Sequence, residues 1–410
     1  MKKLMAMLLA GIMAASLTAC GGSDGGSNTA NGGTGASDYK IAIVTGTVSQ
    51  GEEEFRAAEN LKAQYPDKIV TATYPDNFQK ETETTISNIL NLVADPQVKG
   101  LVLCQAVPGG AAAVAQAREI NPDLVVTFGV MQEDPNVTNG AAEVTFNVDE
   151  ISMGKTIPDQ AKAMGAKTLV QYSFPRHMSI QSIALRSELM EQRCKELGIT
   201  YVAATAPDPL GDSGVSGSQQ FIKEDVPKKI AEYGEDTAFF ATNCGMQEAL
   251  IQAVVNGKAI MPQQCCPSPY HGIPAALGIS IPEDKAGDVS YILQAEEEKL
   301  VEAGMAGRIS TWKVPVNMMF VEAGVRYIDG RIDGSITPEN KMQKIEEICE
   351  DIAGTDVQII QYNDGTKTYE NIYTVLCGYY TFGGSNEEAA PAEDGASSEA
   401  VSAAEESAAQ

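Results

Sequence analysis

The chain has 410 residues, 43% of them hydrophobic and 20% charged, proportions that suit a soluble globular body. Its formal net charge is -26 with a sequence pI near 4.4, which argues against nucleic-acid binding and against lying flat on anionic lipid, because an acidic surface repels phosphates. Eight cysteines and two histidines, with no CxxC spacing, give no zinc signature.

The N-terminus opens with Lys2 and Lys3, then an apolar run from Leu4 to Ala15. These are the n-region and h-region of a secretory signal, too short for a membrane span. Leu17-Thr18-Ala19-Cys20 resembles a bacterial lipobox, with small residues before the cysteine. The resemblance implies cleavage before Cys20 and lipidation of its thiol. Two or three acyl chains hold a protein on a membrane where one does not. The expected location is therefore the extracytoplasmic face of the cell membrane. Residues 1–19 are read as signal peptide and 20–37 as a Gly/Ser-rich leash. The tail, 385–410, holds seven acids and no base and is expected to be disordered. Seven cysteines remain after Cys20, an odd number whose pairing the sequence does not give.

Between these ends the chain repeats a strand–helix beat. β-Branched runs begin near Lys40, Ile69, Gly100 and Leu124, and helical stretches separate them. A further strand is expected over 143–148. The beat then restarts at Thr168, Thr200 and Ala238, with an apolar strand over 258–261 and a short one over 277–280. Two such runs predict two α/β lobes with parallel sheets, since one sheet would need eight or more strands. The first lobe is placed at 38–148 and the second at 149–310. A segment over 311–384, with helices near 316–330 and 338–352 and strands over 357–361 and 373–376, is expected to return and complete the first lobe.

Lipobox, leash, two α/β lobes and a returning segment together resemble a type I periplasmic-binding-protein-like lipoprotein, over roughly Tyr39 to Phe382. Ser173-Phe174-Pro175-Arg176-His177-Met178-Ser179 is similar to a signature of a clostridial-type family of such lipoproteins without assigned function. The resemblance implies two Rossmann-like lobes, capture of a small polar solute in the interlobe cleft, and delivery to the permease of an ABC importer. It implies no cofactor and no catalysis. A monomer is expected. Closure would hinge at Val148 to Ser152 and at two later crossings.

Ligands of open α/β sheets bind beyond the carboxyl ends of the strands. The candidates in the first lobe are therefore Thr47, Ser49, Gln50, Tyr74, Gln105, Phe128 and Met131. Those in the second are Ser173, Arg176, His177, Asp208, Asn243, Cys244 and Gln263. Arg176 could grip an anion in a fork, or pair with an acidic residue across the lobes. Ser179 is a plausible helix cap. Thr45 to Gln50 reads either as a hydroxyl-rich ligand loop or as a plain helix cap at Ser49, and lacks the GxxxxGK[ST] pattern of a phosphate loop. Tyr74 and Phe128 could stack on a ring or merely pack. Asp212 to Gln220 is read as a cleft-side loop, Cys265-Cys266 as structural, and His271 as a turn residue. Two readings stay beside transport. One is a sensor feeding a membrane kinase. The other is a cofactor-independent racemase using Cys104 and Cys244 as a thiol–thiolate pair.

Overall fold

The computed structural model describes residues 39–364 and 366–384. The expected signal, lipobox and leash, and the expected acidic tail, lie outside the described residues. In chain order the elements are β1 (Lys40–Thr45), α1 (Val48–Gln64), β2 (Ile69–Thr73), α2 (Thr82–Val93), β3 (Val98–Ala106), α3 (Gly110–Ile120), β4 (Val125–Met131), α4 (Pro135–Ala141) and β5 (Val144–Val148). Then come α5 (Met153–Ala163), β6 (Thr168–Ser173), α6 (Pro175–Met178), α7 (Gln181–Leu197), β7 (Thr200–Thr205), α8 (Gly214–Tyr233), β8 (Thr237–Ala241), α9 (Gln247–Asn256), α10 (Ile273–Leu277) and α11 (Val289–Glu302). The chain ends with β9 (Ser310–Trp312), α12 (Val316–Asp333), α13 (Lys341–Ala353), β10 (Val357–Asn363), β11 (Thr368–Cys377) and β12 (Tyr379–Thr381).

The fold is α/β, with two lobes built on parallel sheets. The first sheet has the strand order β10-β11-β5-β4-β3-β1-β2, parallel throughout except for β10 against β11. Its central strands are apolar on both faces because helices cover both, as parallel sheets require. The C-terminal segment returns to this lobe. Helix α12 lies on the sheet and stacks Phe320 on Phe146, with ring centroids 5.4 Å apart. Each such fully buried ring contributes roughly 1.5–3 kcal/mol. The approach is close enough that a Cβ on Gly324 would stand 2.5 Å from Thr127 Oγ1, which is why a glycine faces the sheet there.

The second sheet is β7-β6-β8. Single parallel bridges, Ala238 to Ile260 and Met261 to Ile309, extend it toward β9 and β12. The expected strand over 258–261 is thus reduced to bridges, cut short by Pro262. The expected strand over 277–280 is absent, because α10 ends at Gly278 in a left-handed cap. Residues 379–384 do not join the first lobe as expected. They carry β12 onto β9 and bury Phe382 in the second core. Helix α4 also escaped sequence reading, although Pro135 occupies its first turn and Asp134 caps Asn136 N.

Three crossings join the lobes, from β5 to α5, from β9 to α12, and from β11 to β12. They lie side by side. Asp149 N donates to Val375 O at 3.1 Å, and Lys313 N to Gly378 O at 3.4 Å. The Asp149 carboxylate accepts from Ser152 N at 2.9 Å and Ser152 Oγ at 2.7 Å, fixing the turn of the first crossing. Among the described residues, no helix is long and apolar enough to cross a membrane.

Candidate functional site

The loops beyond the strand ends of the two lobes meet along α1. Ser268 Oγ donates to Glu53 Oε1 at 2.5 Å, Arg56 pairs with Glu283 at 2.8 Å, and Asn60 Nδ2 donates to Gly287 O at 3.0 Å. First-lobe side chains thereby hold the second-lobe stretch from 268 to 287.

At the strand ends of the first lobe, a buried carboxyl organises the polar groups. Glu54 Oε1 accepts from Gln105 Nε2 at 3.4 Å and Glu54 Oε2 from Asn317 Nδ2 at 3.2 Å, while Gln132 donates to Gln105. Burial pushes the Glu54 carboxyl up to about 7, and its backbone contact and neighbouring amides only partly oppose this. A Cβ on Gly51 would stand 1.7 Å from Glu54 Oε1, so the side chain folds over a glycine whose backbone breaks the helical geometry of α1.

Of the expected first-lobe residues, Gln105 belongs to this group. Thr47 takes the N-cap position of α1, which the cap reading gave to Ser49. Its hydroxyl bonds Ser49 at 2.9 Å and also donates to Asp76, and Ser49 and Gln50 are exposed. Tyr74 and Phe128 are corrections. Both are 1% exposed and both sit in the first-lobe core, Tyr74 edge-on to Phe78, so neither presents a ring to a ligand here. Met131 lines a cavity of about 160 Å³ at the first crossing.

In the second lobe, Arg176 forks onto Asp208 through Nε at 2.7 Å and Nη2 at 2.9 Å. Both come from one lobe, so the pair is not an interlobe bridge. The Arg176 hydrogen bond lowers the Asp208 carboxyl to about 2. His177 packs on Phe174, with ring centroids 4.2 Å apart. Its Nδ1 lies 3.1 Å from Thr242 Oγ1 and its Nε2 lies 3.3 Å from Asn243 Nδ2. Ser173 Oγ is 3.0 Å from the same Thr242 hydroxyl. Burial, then the Arg176 charge, lowers the His177 pKa, favouring the neutral ring. Five of the expected residues, Ser173, Arg176, His177, Asp208 and Asn243, thus form one cluster. The helix here differs from expectation. Arg176 and His177 lie inside the four-residue α6, and Ser179 follows its end and donates to Arg176 O at 2.6 Å instead of capping α7. Residues 214–220 of the expected loop form the first turns of α8. Gln263 is buried and accepts from Tyr379 OH at 2.6 Å, so it braces the crossings.

The cysteines fall differently from the sequence reading. Cys104 is 0% exposed, and burial first, then the Glu54 charge, drives its thiol well above the usual range. It cannot serve as one of two cleft thiols, which removes the racemase pair. Cys244, Cys265 and Cys266 instead converge with His271. Cys265 Sγ is 3.3 Å from Cys244 Sγ and 3.4 Å from His271 Nε2, and Cys266 Sγ is 3.5 Å from Cys244 Sγ. Hydrogen bonds from Cys265 and Cys266 push the Cys244 thiol below its usual range. Burial would lower the His271 imidazole, but the Cys244 bond and charge outweigh it and raise the pKa. The spacing argument missed this group because Cys244 follows β8 while Cys265, Cys266 and His271 lie beyond α9. Glu53, Glu54, Gln132, Asn317 and Ser268 were missed too. Only Glu54 left a signal, since it shares the buried stripe of Ala57, Ala58 and Leu61 on α1.

Two lobes with strand-end loops facing one another define a type I periplasmic-binding-protein-like fold. The chain belongs to the family described as "Protein of unknown function (DUF3798)", which matches residues 39–310. An uncharacterized protein of Treponema pallidum (strain Nichols) is 34% identical over 203 residues, 48% of this chain and 91% of that one. A second protein of that organism is 29% identical over 221 residues, 54% of this chain and all of that one. Among solved structures, a protein of Clostridium difficile 630 described as a candidate transcriptional regulator superposes with a TM-score of 0.77 at 23% identity, covering 84% of this chain and 99% of that one. A sugar ABC transporter protein of Actinomyces odontolyticus superposes with a TM-score of 0.51 at 10% identity, covering 84% and 96%. These likenesses concern the fold.

Proposed function

We propose that this chain is a lipid-anchored extracytoplasmic solute-binding protein that captures a small polar molecule between its lobes and presents it to the permease of an ABC importer. The observation that carries this reading is the pairing of two polar strand-end clusters, Glu54-Gln105-Gln132-Asn317 in one lobe and Ser173-Arg176-His177-Asp208-Asn243 in the other, on lobes joined by three crossings. The first cluster offers acceptors and amides, and the second an exposed guanidinium and a neutral imidazole. A solute carrying hydroxyls and an anionic or carbonyl group would use both. No group-transfer step is assigned, since binding and closure need no nucleophile. Anchoring rests on the lipobox at Cys20.

The test is a thermal-shift screen of the mature chain against sugars, nucleosides, amino acids and carboxylates. A true ligand at about 100 times its Kd adds about 2.7 kcal/mol of stability. A chain that melts unchanged with every pool, and whose scattering profile never contracts, would refute the reading. The anchor is tested separately by radioactive palmitate. Label should enter the wild type, and label in Cys20→Ala would refute the anchor.

A further inference from the structure

We propose that Cys244, Cys265 and His271 form a Zn²⁺ site on the strand-end side of the second lobe, with a water completing the tetrahedron. These three residues place one ligand atom each within 4.8 Å of the others. A tetrahedral zinc with sulfur at about 2.3 Å and imidazole nitrogen at about 2.05 Å sets two sulfurs about 3.8 Å apart, and a sulfur and a nitrogen about 3.6 Å apart. The Cys244–Cys265 sulfur pair stands at 3.3 Å and the Cys265–His271 sulfur–nitrogen pair at 3.4 Å. These pairs need to spread by only a few tenths of an ångström to seat the ion; Cys266 Sγ, 3.5 Å from Cys244 Sγ, lies outside the group. Soft thiolates with one imidazole are the donor set that selects zinc over magnesium or calcium.

The surroundings hold these ligands in place. Cys265 N donates to Gln247 Oε1 at 3.1 Å, and Gln264 Nε2 donates to Ser268 O at 2.9 Å and His271 O at 3.3 Å, tying together both ends of the turn that brings the cysteine and the histidine together. Ser268, three residues before His271, bonds Glu53 of the first lobe. The site therefore lies on a stretch that both lobes hold. As zinc ligands, Cys244 and Cys265 are not spare thiols. This inference does not rest on the solute-binding reading, because it concerns a resident ion.

The test uses the reduced, untagged full chain with Zn²⁺ alone, and with Co²⁺ as a spectroscopic substitute. Zinc retained through dialysis at about one per chain is expected, together with thiolate-to-cobalt charge transfer and tetrahedral d–d bands. Cys244→Ser and Cys266→Ser carry the comparison because both side chains are exposed and the fold should tolerate them; melting curves check that it does. Cys244→Ser should weaken zinc binding by about 100-fold or more, while Cys266→Ser, which removes a thiol beside the site and not a ligand, should leave the charge-transfer intensity per bound cobalt unchanged. The proposal is overturned if the wild type retains no more zinc than Cys244→Ser. It is also overturned by a cobalt spectrum without thiolate bands, or by peptide mapping that finds Cys244 joined to Cys265 or Cys266 in chain purified without reductant.

Discussion

Ser268 and Glu53 belong to different lobes, yet the serine hydroxyl donates to the glutamate at 2.5 Å. This contact exists only when the second-lobe turn rests against α1. A buried hydrogen bond contributes roughly 0.5–1.5 kcal/mol. Ser268→Ala is therefore expected to move the balance between closed and open lobes about fivefold toward open. Small-angle scattering of the unliganded chain should record a larger radius of gyration. An unchanged profile would mean that the bond does not hold the lobes.

Glu54 should make stability depend on pH. Its folded pKa, about 7, lies above the ordinary 4.5. A carboxyl raised on folding imposes no penalty below the unfolded pKa and the full penalty above the folded one. Stability should thus fall as pH rises from about 4.5 to 7, by roughly 3 kcal/mol. Glu54→Gln keeps the shape and removes the charge, so its melting temperature should exceed that of the wild type at pH 8 and match it near pH 4. Parallel pH profiles for the two proteins would refute the assignment.

Glu296 is fully buried in α11, and both carboxyl oxygens lack a hydrogen-bond partner. Burial drives its pKa well above the usual carboxylate range. The same sign holds as for Glu54: the cost grows as the solution becomes more alkaline. Glu296→Met should raise the melting temperature by several degrees at pH 8 and by less at pH 5. A lower melting temperature at pH 8 would indicate that a water or ion satisfies the carboxylate.

Arg176 should matter for binding and not for folding. Its fork to Asp208 is at the surface, where such pairs add little stability. With a ligand found by the thermal-shift screen, Arg176→Ala should raise Kd about tenfold while leaving the melting point of the free chain in place. Calorimetry separates the two effects. Unchanged affinity would exclude Arg176 from the site.

The lobes were legible because parallel strands advertise themselves. Ile41-Ala42-Ile43-Val44 and Leu101-Val102-Leu103 are continuous apolar runs that only a sheet covered on both faces can bury. The strand-end rule also pointed to Gln105, Arg176, His177, Asp208 and Asn243, which the structure gathers into two polar clusters, since the rule follows from topology. It failed for Tyr74 and Phe128 because a residue at a strand end can point into the sheet's own core, and alternation alone does not say which way. The thiol cluster was hidden for another reason. Cys244 is followed by 20 residues before Cys265, and helix α9 brings the chain back. Cysteine spacing reveals a cluster when its ligands share a turn, and here Cys244 lies on the far side of α9 from Cys265 and His271.

The three crossings run side by side and are hydrogen-bonded to one another at Asp149–Val375 and Lys313–Gly378. Parallel tethers linked edge to edge behave as a leaf spring. They flex easily about the axis lying across their width, and they resist both twisting and sideways slip. The lobes therefore have essentially one cheap motion, a nod that opens the face carrying α1 and the 268–287 stretch.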